Sequence, residues 1–307
     1  MMPTRQGSLR LFRLFGIDVF LHWSWFFVAL YKLNDPTHQY GSFGWNLAEY
    51  LTLFLIVLMH EFGHALACRQ VGGQANQIIL WPLGGVAYVA PPQRAGAMLW
   101  SIAAGPLVNV GLFPIFSAAL FVAQRAGWQE EMPDLYTFIL VIWFINTGLL
   151  AFNLLPIYPL DGGQILRSLL WFPFGRARSL MIATLIGFLG MAALVPLIIK
   201  ENFLWYYILA AFVVLNLWRG FKQARILSRV ANLPRRAGFA CPGCKSSPPI
   251  GDYWVCAKCR NAFDTFVTQG VCPHCMTHYS TTACMDCGSL HPVADWAVRD
   301  SAPPVLP

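Results

Sequence analysis

Residues Phe54–Cys68 read FLIVLMHEFGHALAC, and this stretch decides what kind of molecule the chain is. From Leu51 to Met59 the run holds one hydroxyl and no charge, and then two histidines and a glutamate arrive within five positions. An ionisable residue inside so apolar a segment costs about 2.5–3.5 kcal/mol on insertion scales, which marks it as functional. On a helix, positions i and i+4 share a face, so His60 and His64 can reach one ion. Glu61 lies beside that face, where a carboxylate can take a proton from water. Zinc suits the HExxH spacing and lowers the pKa of a bound water to about 7. Without a metal and water, all three groups would be stranded in apolar surroundings.

The rest of the composition agrees with a bilayer setting. Of 307 residues, 57% are hydrophobic and 11% charged, against about 25% charged in soluble domains. Six apolar runs approach the ~20 residues a spanning helix needs: about Ile17–Lys32, Trp45–Cys68, Ala97–Ala123, Thr137–Leu155, Ser179–Ile199 and Phe203–Trp218. Arg5, Arg10 and Arg13 precede the first run, but no small-residue cleavage site follows, so it reads as an uncleaved span. Lys and Arg crowd one set of loops (Arg69, Arg94, Arg167, Arg176, Arg178), whereas the other set holds Lys32, Arg125 and Lys200. The positive-inside rule then puts both termini and the motif's end of its span in the cytoplasm of a multi-pass cell (inner) membrane protein.

One stretch does not fit a simple span. Gln77–Ala90 is apolar but short, and it is broken by Pro82 and Gly84-Gly85. Two strands meeting at the glycine pair make a hairpin. Irregular backbone at membrane depth is tolerated where it is buried in protein or lines a wet cavity, so a re-entrant hairpin beside the active site is expected. The fold class expected is an α-helical polytopic membrane protein of about six spans with that hairpin, plus small cytoplasmic zinc-ribbon modules.

A catalytic zinc needs a third protein ligand. Asp35, Glu130, Glu131, Asp134 and Glu201 fall on the outer side, and Glu49 begins the motif's own span about 16 Å away. Asp161, just past the fourth run, is the best candidate, with Asp18 the runner-up. Asn109 and Asn146 read as interhelical hydrogen-bonding residues, His22 as interfacial, and Cys68 as an inert buried thiol.

HEFGH in a membrane helix, AGPLVN at Ala104–Asn109 and FNLLPIYPLDGG at Phe152–Gly163 together resemble the site-2 protease family of intramembrane metalloproteases. The resemblance is strongest to the compact six-span branch that includes the bacterial sporulation factor proteases. It implies a zinc endopeptidase with His60, His64 and Asp161 as ligands and Glu61 as general base. It also implies that Asn153 holds the substrate backbone or developing oxyanion, and that Gly84 and Gly85 lie in a hairpin that pairs with an extended substrate. Gln164 departs from the pattern, since many relatives carry a basic residue there. Transmembrane protein substrates and the bilayer are the implied partners. Two other classes are an inactive zinc-bound scaffold and a metal transporter. Intact Glu61 and Asp161 argue against the first, and the gathering of polar residues at one depth argues against the second.

Composition changes near residue 219, which divides a membrane domain (1–218) from a basic linker (219–239), CxxC modules (240–292) and an expected disordered tail (293–307). Within the linker, FKQARILSRVANL reads as an interfacial helix and its charges as anchors near anionic headgroups. Eight of nine cysteines form pairs Cys241/Cys244, Cys256/Cys259, Cys272/Cys275 and Cys284/Cys287, a strong structural-zinc signal. A reducing cytoplasm disfavours disulfides. Sequential pairing gives two tandem ribbons and two structural zincs, with a cross-braced order (first with third, second with fourth) as the alternative. Charges between Cys241 and His291 cancel, which favours a protein regulator over nucleic acid as the modules' partner.

Overall fold

A computed structural model describes residues 7–33, 40–81 and 84–298. They fall into two compact units, one running to Phe221 and the other from Lys222, with Arg176–Arg178 grouped with the second.

The first unit is built around α2, Phe43–Gln70. Over half (56%) of its apolar stretch is buried, against 17–22% for the other long apolar helices, so α2 is the central helix. One side meets α3 (Ala95–Arg125) and α5 (Pro133–Asn153), which the short α4 (Trp128–Glu131) joins. The other side carries a four-stranded sheet in the order β1 (Ser8–Leu14), β2 (Ile17–His22), β3 (Gln74–Trp81), β4 (Gly84–Ala90). Strands β2 and β3 run parallel, and the outer pairs are antiparallel. Ile17, Val19, Ile78 and Leu80 alternate onto α2, where they bury against Val57, Phe62, Ala65 and Cys68. Arg69, at the end of α2, locks the sheet down by donating to the Phe15, Gly16 and Ala75 carbonyls at 2.5, 3.0 and 2.9 Å.

Among the described residues, four helices are long and apolar enough to cross a membrane: α2, α3, α5 and α6 (Asp161–Glu201), the last broken by a non-helical Gly175 after Pro173. The expected span Ile17–Lys32 is instead β2 followed by α1, Trp25–Leu33. Nine residues of helix reach only ~14 Å, about half a hydrocarbon core. The cause is visible in IDVFLH, where Asp18 and His22 fall on the strand face opposite the buried Ile17 and Val19, and Asp18 is paired with Arg10 at 2.7 Å. The last expected span lies within α7, Leu204–Ala231, which is not among the four and which also absorbs the expected interfacial helix. The hairpin expected at Gln77–Ala90 is the β3–β4 pair, with Trp81 opposite Gly84 and Leu80 opposite Gly85. Pro82 lies outside the described residues.

In the second unit, short ladders β5 (Trp254–Val255) with β6 (Ala262–Phe263) and β7 (Thr281–Ala283) with β8 (Leu290–Pro292) surround the cysteines. Residues 293–298, assigned above to a disordered tail, are part of this unit. Trp296 is 1% exposed and packs edge-on against Phe266, while its carbonyl accepts from Ala240. Arg235 and Arg236, expected above to be headgroup anchors, are paired with carboxylates inside this unit. Arg235 makes a two-pronged pair with Asp286 at 2.6 and 3.1 Å and also donates to the Val230 carbonyl, and Arg236 pairs with Asp264 at 2.5 Å.

Candidate metal centres and active site

His60 and His64 stand one turn apart on the buried face of α2, each about 6% exposed. Their outer ring nitrogens are both committed. His60 Nδ1 lies 2.7 Å from Asn109 Oδ1, and His64 Nδ1 lies 2.9 Å from the Ser101 carbonyl. A carbonyl oxygen only accepts, so each ring keeps its proton on Nδ1 and its lone pair on Nε2. Those two Nε2 atoms are 3.1 Å apart, with Asp161 Oδ2 at 3.1 Å from one and 3.3 Å from the other. Three acceptors crowded in an apolar interior repel one another unless a cation lies between them. Tetrahedral zinc, with bonds of about 2.0–2.1 Å, separates its ligands by about 3.3 Å, so the donor set fits that ion.

Asp161 arrives from a different element as the first residue of α6. Gly162 and Gly163 allow this entry, because a Cβ on either would fall 2.3–2.4 Å from backbone atoms of Leu154 or Tyr158. Gln164, the departure from the family pattern, steadies the same loop by donating to the Pro159 carbonyl at 3.0 Å. Glu61 is 5% exposed, and its Oε2 accepts the Ala87 N–H of β4 at 2.8 Å. The other acidic candidates are held elsewhere: Asp18 by Arg10, Glu49 by the Tyr40 hydroxyl and Asp134 by the Gly41 N–H. Asn153 is the half-buried last residue of α5, and Gly84 and Gly85 open β4. His22 lies against Ser24 and Trp23 rather than among the ligands.

Sequence reasoning missed what surrounds the ligands. Gly105 passes so close to His64 that a Cβ there would sit 2.2 Å from its Nε2. Its place in AGPLVN was the available signal. We expect Gly105→Ala to displace the imidazole and remove one metal per chain from the purified protein while the cysteine-bound metal stays. Unchanged metal content would show that the ring can move aside.

The eight paired cysteines form two four-thiol clusters, Cys241/Cys244/Cys284/Cys287 and Cys256/Cys259/Cys272/Cys275. The order is nested, first with fourth and second with third, so both the sequential and the cross-braced arrangements are overturned. Neighbouring Sγ atoms lie 3.5–3.7 Å apart, close to the ~3.8 Å edge of a tetrahedron with zinc–sulfur bonds of about 2.3 Å. All four pairs share one backbone turn. The residue after the second cysteine (Lys245, Arg260, Met276, Gly288) has positive φ and donates to the first cysteine's carbonyl at 2.8–2.9 Å. Burial pushes the Cys241 thiol up, but N–H groups of Cys244 and Gly243 outweigh it and bring it down to about 7. The Tyr279 hydroxyl, 3.1 Å from Cys256, holds that thiol down to about 6. Other cluster members go the other way: burial pushes Cys244 and Cys284 up, and Cys259 is pushed up to about 12 despite the Asn261 N–H. Each cluster on its own therefore falls short of four thiolates, and a cation is needed to hold them.

The model of peptidase family M50 matches residues 48–133 and 126–197, a region that contains all three membrane ligands and Glu61. The chain belongs to this family. Among its relatives are a zinc metalloprotease of Methanocaldococcus jannaschii, 34% identical over 59% of this chain and 50% of the relative, and the stage IV sporulation protein FB of Bacillus subtilis, 31% identical over 58% and 60%. The chain thus spans about half the length of the curated relatives it matches. It is also similar to the solved site-2 protease from M. jannaschii, at 28% identity over 70% of this chain and 95% of that one, with a TM-score of 0.48. The cysteine clusters lie outside the family match.

Proposed function

We propose that this M50 peptidase is an intramembrane zinc endopeptidase that cuts peptide bonds in or near the transmembrane segments of membrane-bound proteins. The observation that carries the reading is the meeting of His60, His64 and Asp161 at 3.1–3.3 Å in an apolar interior, with Glu61 beside them.

His60, His64 and Asp161 bind the ion, which supplies Lewis acidity and an acidified water when present. Glu61 Oε2 is tied to Ala87, which leaves Oε1 as the atom that takes the proton from water. The hydroxide that remains adds to the scissile carbonyl carbon, the C–N bond breaks, and the Glu61 carboxyl returns the proton to the departing amine nitrogen. Substrate helices bury their backbone groups in i→i−4 bonds, so the scissile segment unwinds first, at lower cost where it contains Gly or Asn. The β4 edge, starting at Gly84-Gly85, receives it as an added strand, and Asn153 holds its backbone. The hairpin lies at membrane depth as a re-entrant element. The Lys and Arg distribution supports a cytoplasmic opening and cytoplasmic termini in the cell membrane. The nested clusters hold two structural zincs, and the module they form contacts a protein regulator.

The test is cleavage of a transmembrane peptide substrate by the full chain in lipid nanodiscs. Chelation should stop cleavage and zinc should restore it, with new fragments mapping inside or beside the peptide's apolar segment. Cleavage only in soluble flanking sequence would sink the intramembrane reading.

A further inference from the structure

Three buried polar side chains from three helices form a chain that ends on a ligand. Asn146 of α5 and Asn109 of α3 are both 0% exposed. Asn109 Nδ2 donates to Asn146 Oδ1 at 2.9 Å, and Asn146 Nδ2 donates back to the Asn109 carbonyl at 3.1 Å. The remaining amide atom, Asn109 Oδ1, accepts from His60 Nδ1 at 2.7 Å. A primary amide can rotate by half a turn with little change of shape. Here a flip would place NH2 against the His60 N–H and oxygen against the Asn146 oxygen, leaving two donor–donor or acceptor–acceptor contacts with no water to relieve them.

We propose that Asn109 is a positioning residue for the metal centre and that Asn146 locks its amide, so that the pair fixes the tautomer and ring plane of His60. The inference rests on the reading of His60, His64 and Asp161 as a metal site. It goes beyond that reading by assigning two asparagines that otherwise look like helix-packing residues. His64 is oriented by a main-chain carbonyl, which no substitution at Ser101 removes. His60 depends on a side chain, so its geometry is the one mutation can loosen. Groups that orient ligating histidines typically contribute 10–100-fold in metal affinity.

The test uses the full chain in detergent, with zinc itself as probe, competed against a chelator. Metal content of the wild type and His64→Ala first counts the membrane site. Asn109→Ala should weaken zinc at that site 10–100-fold while the four-thiol sites are unchanged. Asn109→Asp, which still accepts from Nδ1, should stay within a few-fold of wild type. Asn146→Ala should fall between the two. Thermal unfolding in saturating zinc separates packing from positioning, because Asn109→Ala and Asn109→Asp both break the donation to Asn146 and only one is expected to lose affinity. If Asn109→Ala binds zinc as wild type does, or Asn109→Asp loses as much as Asn109→Ala, the positioning role is overturned. If His64→Ala loses no metal, the metal reading beneath it fails instead, and the proposal with it.

Discussion

Glu61→Gln should lower the rate of substrate cleavage by about 10²–10⁴-fold and leave metal content unchanged. Glutamine has the shape of the carboxylate and offers one oxygen, enough to keep the 2.8 Å bond from the Ala87 N–H. It lacks the second oxygen that would hold a proton. The substitution therefore removes one chemical capacity from an otherwise intact pocket. Single-turnover cleavage in nanodiscs, with elemental analysis of the same preparation, reads both quantities. Cleavage at the wild-type rate would end the general-base assignment, and loss of a metal would move Glu61 among the ligands.

The second large effect concerns the nested thiol clusters. The inner cluster closes a short loop, since Cys259 and Cys272 are 13 positions apart, whereas Cys244 and Cys284 of the outer cluster are 40 apart. Structural zinc in small modules supplies about 10–16 kcal/mol of folding free energy, so losing either ion unfolds what depends on it. Replacing Cys284 and Cys287 with Ser should remove one metal and leave residues around the inner cluster protected from hydrogen exchange. Replacing Cys256 and Cys259 should do more. With the inner fold in place, only the 12 positions from Cys244 to Cys256 and the 9 from Cys275 to Cys284 stay free. Without it the outer cluster must close 40, a loop about twofold longer, which costs about 0.6 kcal/mol, or roughly threefold in affinity. It also loses packing, because Trp254 and Phe266 from the inner segment sit in the outer core. Metal content and exchange at limiting zinc measure this asymmetry. Equal effects of the two double substitutions would mean that the clusters fold independently.

The parts of this molecule that were legible in the sequence are those fixed by local spacing. His60 and His64 announce themselves because a helix brings i and i+4 to one face, and the four CxxC pairs because each turn is a local structure. Asp161 emerged by elimination, since so few acidic residues share the motif's end of the membrane. What failed were long-range choices. Ile17–His22 is apolar enough to read as the start of a span, and only Asp18 and His22, both on the face opposite the buried Ile17 and Val19, mark it as a strand. Cysteine pairing was misread because identical half-sites carry no label saying which joins which. Trp296 looked like part of a tail because its partner, Phe266, is distant in sequence. Asn109 was recognised as a buried hydrogen-bonding residue, but its contact with His60 depends on how three helices pack.

The pairing of Arg235 and Arg236 with carboxylates alters how strongly the region after α7 should adhere to lipid. From sequence, six basic residues between Arg219 and Arg236 seem available to an anionic leaflet, at about 1 kcal/mol each near the surface. Two of them already face carboxylates inside their own unit. Surface adhesion of this segment is thus weaker, and less steeply dependent on ionic strength, than its formal charge indicates. Release of Asp286 or Asp264 from their arginines would restore that attraction, so the same two ion pairs that hold the module together also mask part of its charge.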